Sequence, residues 1–342
     1  MLSGIVEGGS TLHRLGMLYD PARFQGAYRR DGYFEGWYFK FVGRRGEADT
    51  LAVIPGVSRA AGGDEGHAFV QVIRPGGRVR YFAFPLWDFR YARDRFAISV
   101  GPNVFDRHHI SLDLEGDDAG PPIRGEVRSG SWWPWPVTLT APGIMGWYRY
   151  VPSMECYHGV LSMDHAVSGT LLIDGAELVL DGGRGYVEKD WGVSFPSSWI
   201  WAQSNHFGTA GVSCTVSVAR IPWRGSSFTG HIAGLLLDGR LHRFATYTGS
   251  RLLEVASAEG HARIVMGSRR MRLEIDLEGA VPGALKAPVL GAMQGRSDEA
   301  LDGRLRVRLV RDGSGVVFAA EGRAAGVEVM DRRGELRPDP PT

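Results

Sequence analysis

Glu188 and Asp190 stand two residues apart in the run GYVEKDWGVSFPSSWIWAQSNHF, residues 185–207. In an extended segment their carboxyls share one face, with Lys189 and Trp191 on the other. Two carboxylates held close together raise the pKa of one of them, which is what a general acid near neutral pH requires. The competing expectation is structural: Lys189 pairs with one carboxylate and the segment locks a junction. His158, in MECYHGVLSMDH (154–165), is a candidate proton relay or orienting group, with a hydrogen-bonded core histidine as the equal alternative. If that run is one continuous strand, Cys156, His158 and Asp164 share a face. Tyr157 and Tyr186 are candidate donors to a substrate hydroxyl, although buried tyrosines usually just satisfy their own hydroxyls. Glu35 alternates onto the face of Trp37, Phe39 and Phe41, where a carboxylate has to be protonated or paired, with Lys189 or an arginine as partner.

Further along, Trp199, Trp201, Gln203 and Asn205 alternate onto one face of a strand read over 198–206. Aromatic rings interleaved with amides suit a cavity that holds an apolar molecule and orients it through a few polar contacts. The alternative is a core strand whose amides are satisfied internally. Trp132, Trp133 and Trp135 fall in a loop with four prolines, residues 131–152. They pack against the fold, cap a cavity, or touch a membrane from which a lipidic substrate arrives.

The elements that must position these residues read as strands. Forty-eight glycines punctuate short apolar and aromatic runs, and no long stretch keeps a helical i, i+3, i+4, i+7 rhythm. The expected class is all-β, a sandwich or barrel, with strands at 33–42, 50–55, 67–73, 78–84, 95–100, 108–114 and 123–129 and a similar series from 198 to 330. Asp174-Gly175, Asp181-Gly182, Asp238-Gly239 and Asp312-Gly313 have the composition of tight hairpin turns. A length of 342 residues favours two domains, placed at 1–190 and 191–342. The tryptophan-rich runs YFEGWYFKFV (33–42) and SWIWAQSNHF (198–207) echo one another, as a duplication would require. The closing RPDPPT is expected to be a loose tail.

Composition excludes several classes. A net charge of +1, from 39 basic and 38 acidic residues, leaves no electrostatic footprint for nucleic acid. No window approaches the ~18 apolar residues of a spanning helix, and the opening MLSGIVEGGSTLHRLG lacks the pattern of a secretory leader, so the expected location is cytoplasmic, with membrane contact at most peripheral. Cys156 and Cys214 are too few for a disulfide framework or a thiolate zinc site. There is no HExxH and no GxSxG. Gly182–Gly185 lack a strand-to-helix context for phosphate, and His108 and His109 point to opposite faces of a strand. Neither a metal nor a cofactor is expected.

EGWYFK (35–40), MECYHGVLSMDH (154–165) and GYVEKDWGVSFPSSWIWAQSN (185–205) resemble, in order and spacing, the signature blocks of the tocopherol cyclase-like family. The resemblance implies two tandem lipocalin-like or streptavidin-like antiparallel β-barrels with short helices in the connections, and a ligand site at or near their junction. It places the chain beside carotenoid hydratases and fungal Diels-Alder cyclases of similar architecture. The implied reaction closes a ring on a prenylated hydroquinone: the alkene is protonated and the phenol oxygen captures the tertiary cation, without redox cofactor or metal. Such a site needs a protonated acid and excluded water, and aromatic faces can stabilise the passing cation. The expected acid machinery is Asp190, Glu188 and His158. Trp199, Trp201, Gln203, Asn205, Glu35, Trp37, Tyr157 and Tyr186 are expected to line the substrate, an apolar isoprenoid quinol or polyene. Alkene hydration, a cofactor-free pericyclic cyclisation, or non-catalytic lipid carriage on the same fold remain the alternatives.

Overall fold

A computed structural model describes residues 16–29, 31–62, 66–152 and 154–340. The opening residues 1–15 used in the leader reading, and Pro341 and Thr342 of the tail, lie outside the described residues.

The chain forms two antiparallel sheets. The first contains β1 (Tyr33–Val42), β2 (Thr50–Arg59), β3 (His67–Arg74), β4 (Arg78–Pro85), β5 (Phe89–Tyr91), β6 (Ala97–Val100), β7 (Asn103–Asp106), β8 (His109–Leu114), β9 (Ile123–Ser129), β10 (Cys156–Ile173), β11 (Ala176–Val179) and β12 (Gly183–Gly192). The second contains β13 (Trp199–Ser204), β14 (Ser213–Trp223), β15 (Ser226–Leu237), β16 (Arg240–Ala245), β17 (Arg251–Ala258), β18 (His261–Ser268), β19 (Met271–Glu278), β20 (Gly283–Val289), β21 (Ala292–Arg311) and β22 (Gly315–Val329). Short 3₁₀ turns such as Gly46–Asp49 and Gly146–Tyr150 occupy some connections.

The two sheets share a plan. Each opens with a strand, β1 or β13, that starts a four-strand meander to an edge, and each opening strand pairs on its other side with the last strand of its set, β12 or β22. The echoing runs 33–42 and 198–207 therefore supply equivalent strands. Two of the four Asp-Gly pairs make two-residue hairpins: Asp174 and Gly175 both have positive φ (54° and 76°), as do Asp238 and Gly239 (50° and 69°), the conformation such a turn between twisted strands demands, whereas Asp181-Gly182 joins β11 to β12, which do not pair with each other.

The chain divides into two compact units, one of residues 1–73, 79–195 and 286–296, the other of 74–78, 196–285 and 297–342. Residues 286–296 thus join the first unit, and Gln71 holds them there: its Nε2 donates to the Lys286 carbonyl and its Oε1 accepts from the Lys286 amide. The core of the first unit is aromatic. Trp37 and Phe39 of β1 both pack on Phe96, at 5.8 and 6.1 Å between ring centroids, and Phe39 lies 5.9 Å from Phe105. Each such buried ring contributes roughly 2–3 kcal/mol. The second core is aliphatic, built from Ile200, Val216, Val218, Leu235, Ile264, Ile275, Leu305 and Val307.

One local expectation fails. The tail was expected to be loose, but Asp339 is tied down: its amide donates to the Leu252 carbonyl (2.8 Å) and its carboxylate accepts from the Leu252 amide (2.7 Å). An acidic side chain at a strand end finds an unpaired backbone donor, which the proline-rich composition concealed.

Candidate functional site

β12 lies between β1 and β10, so its alternation sorts the GYVEKDWG residues onto two faces of a central ladder. Register carries each face across the neighbours. Asp190 sits opposite Gly36 of β1 and His158 of β10, while Glu188 sits opposite Tyr38 and Val160. Lys189 and Trp191 face the other way, opposite Trp37 and Glu35.

On the first of these faces His158, Glu188 and Asp190 gather so closely that one imidazole nitrogen and one carboxylate oxygen from each acid lie within 4.8 Å of one another. His158 Nδ1 donates to Asp190 Oδ1 at 2.8 Å, and Nε2 approaches Glu188 Oε2 at 3.7 Å, too long for a hydrogen bond but short for a charge contact. Tyr186 donates its hydroxyl to the same Glu188 oxygen at 2.6 Å. Burial opposes a charge on His158. The Asp190 and Glu188 carboxylates outweigh it and, with the Asp190 hydrogen bond, push the imidazole up to about 9. Beside them the Cys156 thiol is pushed well above its usual range by burial and by the carboxylates of Asp190, Glu155 and Glu188.

Accessibility varies within the cluster. The Glu188 side chain is 6 % exposed, that of His158 15 % and that of Asp190 27 %. Opposite Asp190, Gly36 is partly accessible while every other residue of β1 is buried, and Ile54, diagonal to Gly36, is the one partly accessible residue of β2. The face therefore opens where Asp190 is. The three donor types are also those that bind a divalent ion, with Nδ1–H given to Asp190 and Nε2 turned toward Glu188; unless an ion stands between them, the two carboxylates favour a proton on the imidazole.

The opposite face is closed. Lys189 Nζ meets Glu35 Oε1 at 2.5 Å, with both side chains fully buried. Lys189 also donates to the carbonyls of Pro21 (2.8 Å) and Arg23 (2.6 Å), and lies 4.8 Å from the ring centroids of both Trp37 and Trp191. Glu35 accepts from the amides of Gln25 and Gly26 and from the Tyr33 hydroxyl at 2.6 Å. Burial pulls the lysine down to about 8 against the pull of Glu35. Trp37 donates to the Ala22 carbonyl at 2.9 Å. This pair ties residues 20–26 to the sheet.

Several candidates fall outside the cluster. Tyr157 lies on the Trp191 side, stacked on that ring at 5.6 Å, and its hydroxyl donates to the Val151 carbonyl at 2.7 Å. β10 is not evenly alternating. Register shifts between Val160 and Ser162 and between Ser162 and His165 break the pattern, and Asp164 is engaged by Arg184. Each shift adds one residue, so the two together restore the alternation, and Asp164 keeps the face of Cys156 and His158 farther along the strand, where it meets Arg184. Trp199, Trp201 and Gln203 share the face of β13 opposite the aliphatic core, where Ile200 and Ala202 pack. Trp199 Nε1 donates to Glu328 at 2.5 Å. Asn205 is buried just past the end of β13. These four belong to the second unit. Gly36, Tyr38 and Ile54, which border the cluster, escaped the sequence reading because only strand register brings them beside Asp190.

No described helix is long and apolar enough to cross a membrane. The chain is similar to a probable chloroplastic tocopherol cyclase of Oryza sativa, 26 % identical over 161 residues, and to the chloroplastic tocopherol cyclase of Zea mays, 26 % identical over 152 residues. These alignments cover 46 % and 43 % of this chain, which spans about a third (34 % and 32 %) of the length of those relatives. Among solved structures it resembles CghA with Sch210972 (TM-score 0.53, 14 % identity, 87 % of this chain and 88 % of that one). It also resembles a candidate AttH of Nitrosomonas europaea (TM-score 0.51, 14 % identity, 96 % and 99 % covered). At such identity these likenesses establish the all-β, lipocalin-like architecture alone. The model of the tocopherol cyclase-like family matches residues 126–330, a range that takes in β10, β12 and β13 and most of the second unit, and to this family the chain belongs.

Proposed function

We propose that the protein is a cyclase that closes a ring on a prenylated hydroquinone or a related isoprenoid by proton transfer from the His158–Asp190 pair. The observation that carries the reading is the 2.8 Å Nδ1–Oδ1 hydrogen bond, set where an otherwise buried strand face opens. An alkene is a very weak base, so its donor must carry its proton at the start, and the cation that forms must be stabilised where it forms. His158 holds that proton. Asp190, the most accessible member, takes it along the hydrogen bond and delivers it to the alkene carbon.

The alkene π pair forms the new C–H bond and leaves a tertiary cation beside the Asp190 and Glu188 carboxylates, whose negative charge stabilises it. A phenol oxygen lone pair then forms the C–O bond, and the phenol proton returns to Asp190 and His158. No atom is gained or lost, so the product is an isomer of the substrate. Glu188, held by the Tyr186 hydroxyl, keeps the imidazolium charged between two anions.

The test is incubation of purified protein with a prenylated hydroquinone, followed by mass spectrometry and chromatography. A mass-neutral, shifted chromanol supports the reading; unchanged substrate defeats it, and a gain of one water assigns hydration instead. Asp190→Asn should lower turnover by about 10²–10⁴-fold. An undiminished rate would remove Asp190 from the acid role.

A further inference from the structure

The five glycines of β1, β2 and β12 divide into four that the fold requires and one that it does not. A Cβ on Gly56 would stand 2.4 Å from the Phe69 ring and 2.6 Å from the Glu35 carbonyl. On Gly183 it would stand 2.4 Å from the Val42 carbonyl, and on Gly185 it would stand 2.3 Å from the His165 ring. Gly192 has φ +153°, and a Cβ there would stand 2.3 Å from the Glu155 carbonyl. Gly36 is different. Its φ is outside the left-handed region, and a Cβ would meet only Ile54 Cγ2 at 3.5 Å, the Pro55 carbonyl at 3.8 Å and Phe69 Cζ at 3.9 Å, all ordinary contacts.

An alanine would therefore fit, and glycine in a strand interior weakens the strand by roughly 0.5–1 kcal/mol. A glycine that costs stability without relieving strain is explained when something outside the fold must approach the backbone closely. Gly36 lies directly opposite Asp190, and Asp190, Gly36 and Ile54 are accessible together in strands whose neighbouring positions are mostly sealed. Gly36 pairs with Asp190 on one side and with Gly56 on the other, and Ile54 is its diagonal neighbour, so the missing side chain leaves a gap bordered by Asp190, the Ile54 methyl and the edge of Phe69.

We propose that Gly36 is a specificity-determining contact: the substrate's alkene segment lies across its backbone, apolar against Ile54 and within reach of Asp190. The gap admits a slim prenyl chain and excludes bulkier branching. The identity of the ligand rests on the cyclase reading above, but the site itself does not depend on turnover.

The experiment compares wild type with Gly36→Ala and Gly36→Val in the full chain. The binding probe is a prenylated hydroquinone whose side-chain double bonds have been hydrogenated, so that it cannot react, followed by quenching of tryptophan fluorescence. Thermal unfolding and the NMR titration of His158 serve as structural readouts. The expected result is an unchanged or raised melting temperature, an unchanged His158 titration, and binding that weakens in steps, by about 10-fold or more at valine. Equal binding by Gly36→Val, loss of folding in Gly36→Ala, or no binding of the probe by wild type would each overturn the proposal. Stepwise loss of binding without any chromanol from the reactive substrate would defeat the cyclase reading and leave this site standing. Turnover indifferent to Gly36 would do the reverse.

Discussion

The two faces of β12 carry the same kinds of side chain and do different things with them. On one, Lys189 and Glu35 are fully buried and meet amides, carbonyls, a hydroxyl and two indole faces. On the other, His158, Glu188 and Asp190 form a chain of contacts that ends at a partly accessible carboxylate. A buried charge with a full set of partners is held for structure, because moving it costs desolvation that nothing else repays. A charged cluster left open at one end has somewhere to send a proton. Residues adjacent in sequence thus divide between a structural lock and a candidate reaction centre.

The comparison breaks first at the lock. Glu35→Gln or Lys189→Met leaves an uncompensated buried charge and should lower stability by about 3–5 kcal/mol, measured by denaturant unfolding. Asp190→Asn, at the accessible end, should cost turnover and less stability than either lock variant, the stability lost being what Asp190 lends to the His158 charge. If the Glu35 variant folded normally and lost only activity, the assignment of the two faces would be inverted.

A second break uses the two histidines of β10. His158 has its pKa raised to about 9, so its contribution to stability is fully present below its ordinary value of 6.5 and is lost as pH rises through about 9. His165 is lowered to about 3 by burial and by the Arg184 charge, and its Nδ1 meets Ser162 Oγ at 2.9 Å. Its contribution is present above 6.5 and is lost as pH falls from there toward 3. Unfolding free energy followed from pH 4 to 10 should therefore lose its alkaline arm in His158→Gln and its acid arm in His165→Gln. On the proposed mechanism, turnover should also fall above about pH 9.

The smallest effect should come from Tyr186→Phe, which removes one hydrogen bond from Glu188. A loss of about 1–3 kcal/mol in stability is expected, since the carboxylate is charged and nearly enclosed, together with a measurable shift in the His158 titration. A His158 titration that did not move would detach Glu188 from the proton-holding cluster.

Much of this was legible early. Alternation alone separated Glu188 and Asp190 from Lys189 and put Glu35 on the face of Trp37 and Phe39, because the period of two is a property of the extended backbone. It left Glu35 with Lys189 or an arginine and Lys189 with any of three carboxylates, and the fold pairs Lys189 with Glu35. Local composition likewise gave the Asp174-Gly175 and Asp238-Gly239 turns. Beyond one strand the rules weaken. Nothing in MECYHGVLSMDH marks the two bulges between Val160 and His165, and Asp164 keeps the face of His158 only because each adds one residue and the two cancel. Tyr157, equal to Tyr186 as a sequence candidate, proved to be committed to Val151 and Trp191.

By itself the sequence determined the all-β class, the paired tryptophan-rich opening strands and the family resemblance, since these depend on period, turn chemistry and motif order along the chain. Only the tertiary structure decided which carboxylate is locked and which is accessible, that His158 stands between Glu188 and Asp190, and that Gly36 lies empty opposite Asp190. Those are consequences of cross-strand register among β1, β10 and β12. Register joins Gly36 and His158 to Asp190 across strands far apart along the chain, and that relation is fixed by packing and burial, which no local pattern encodes.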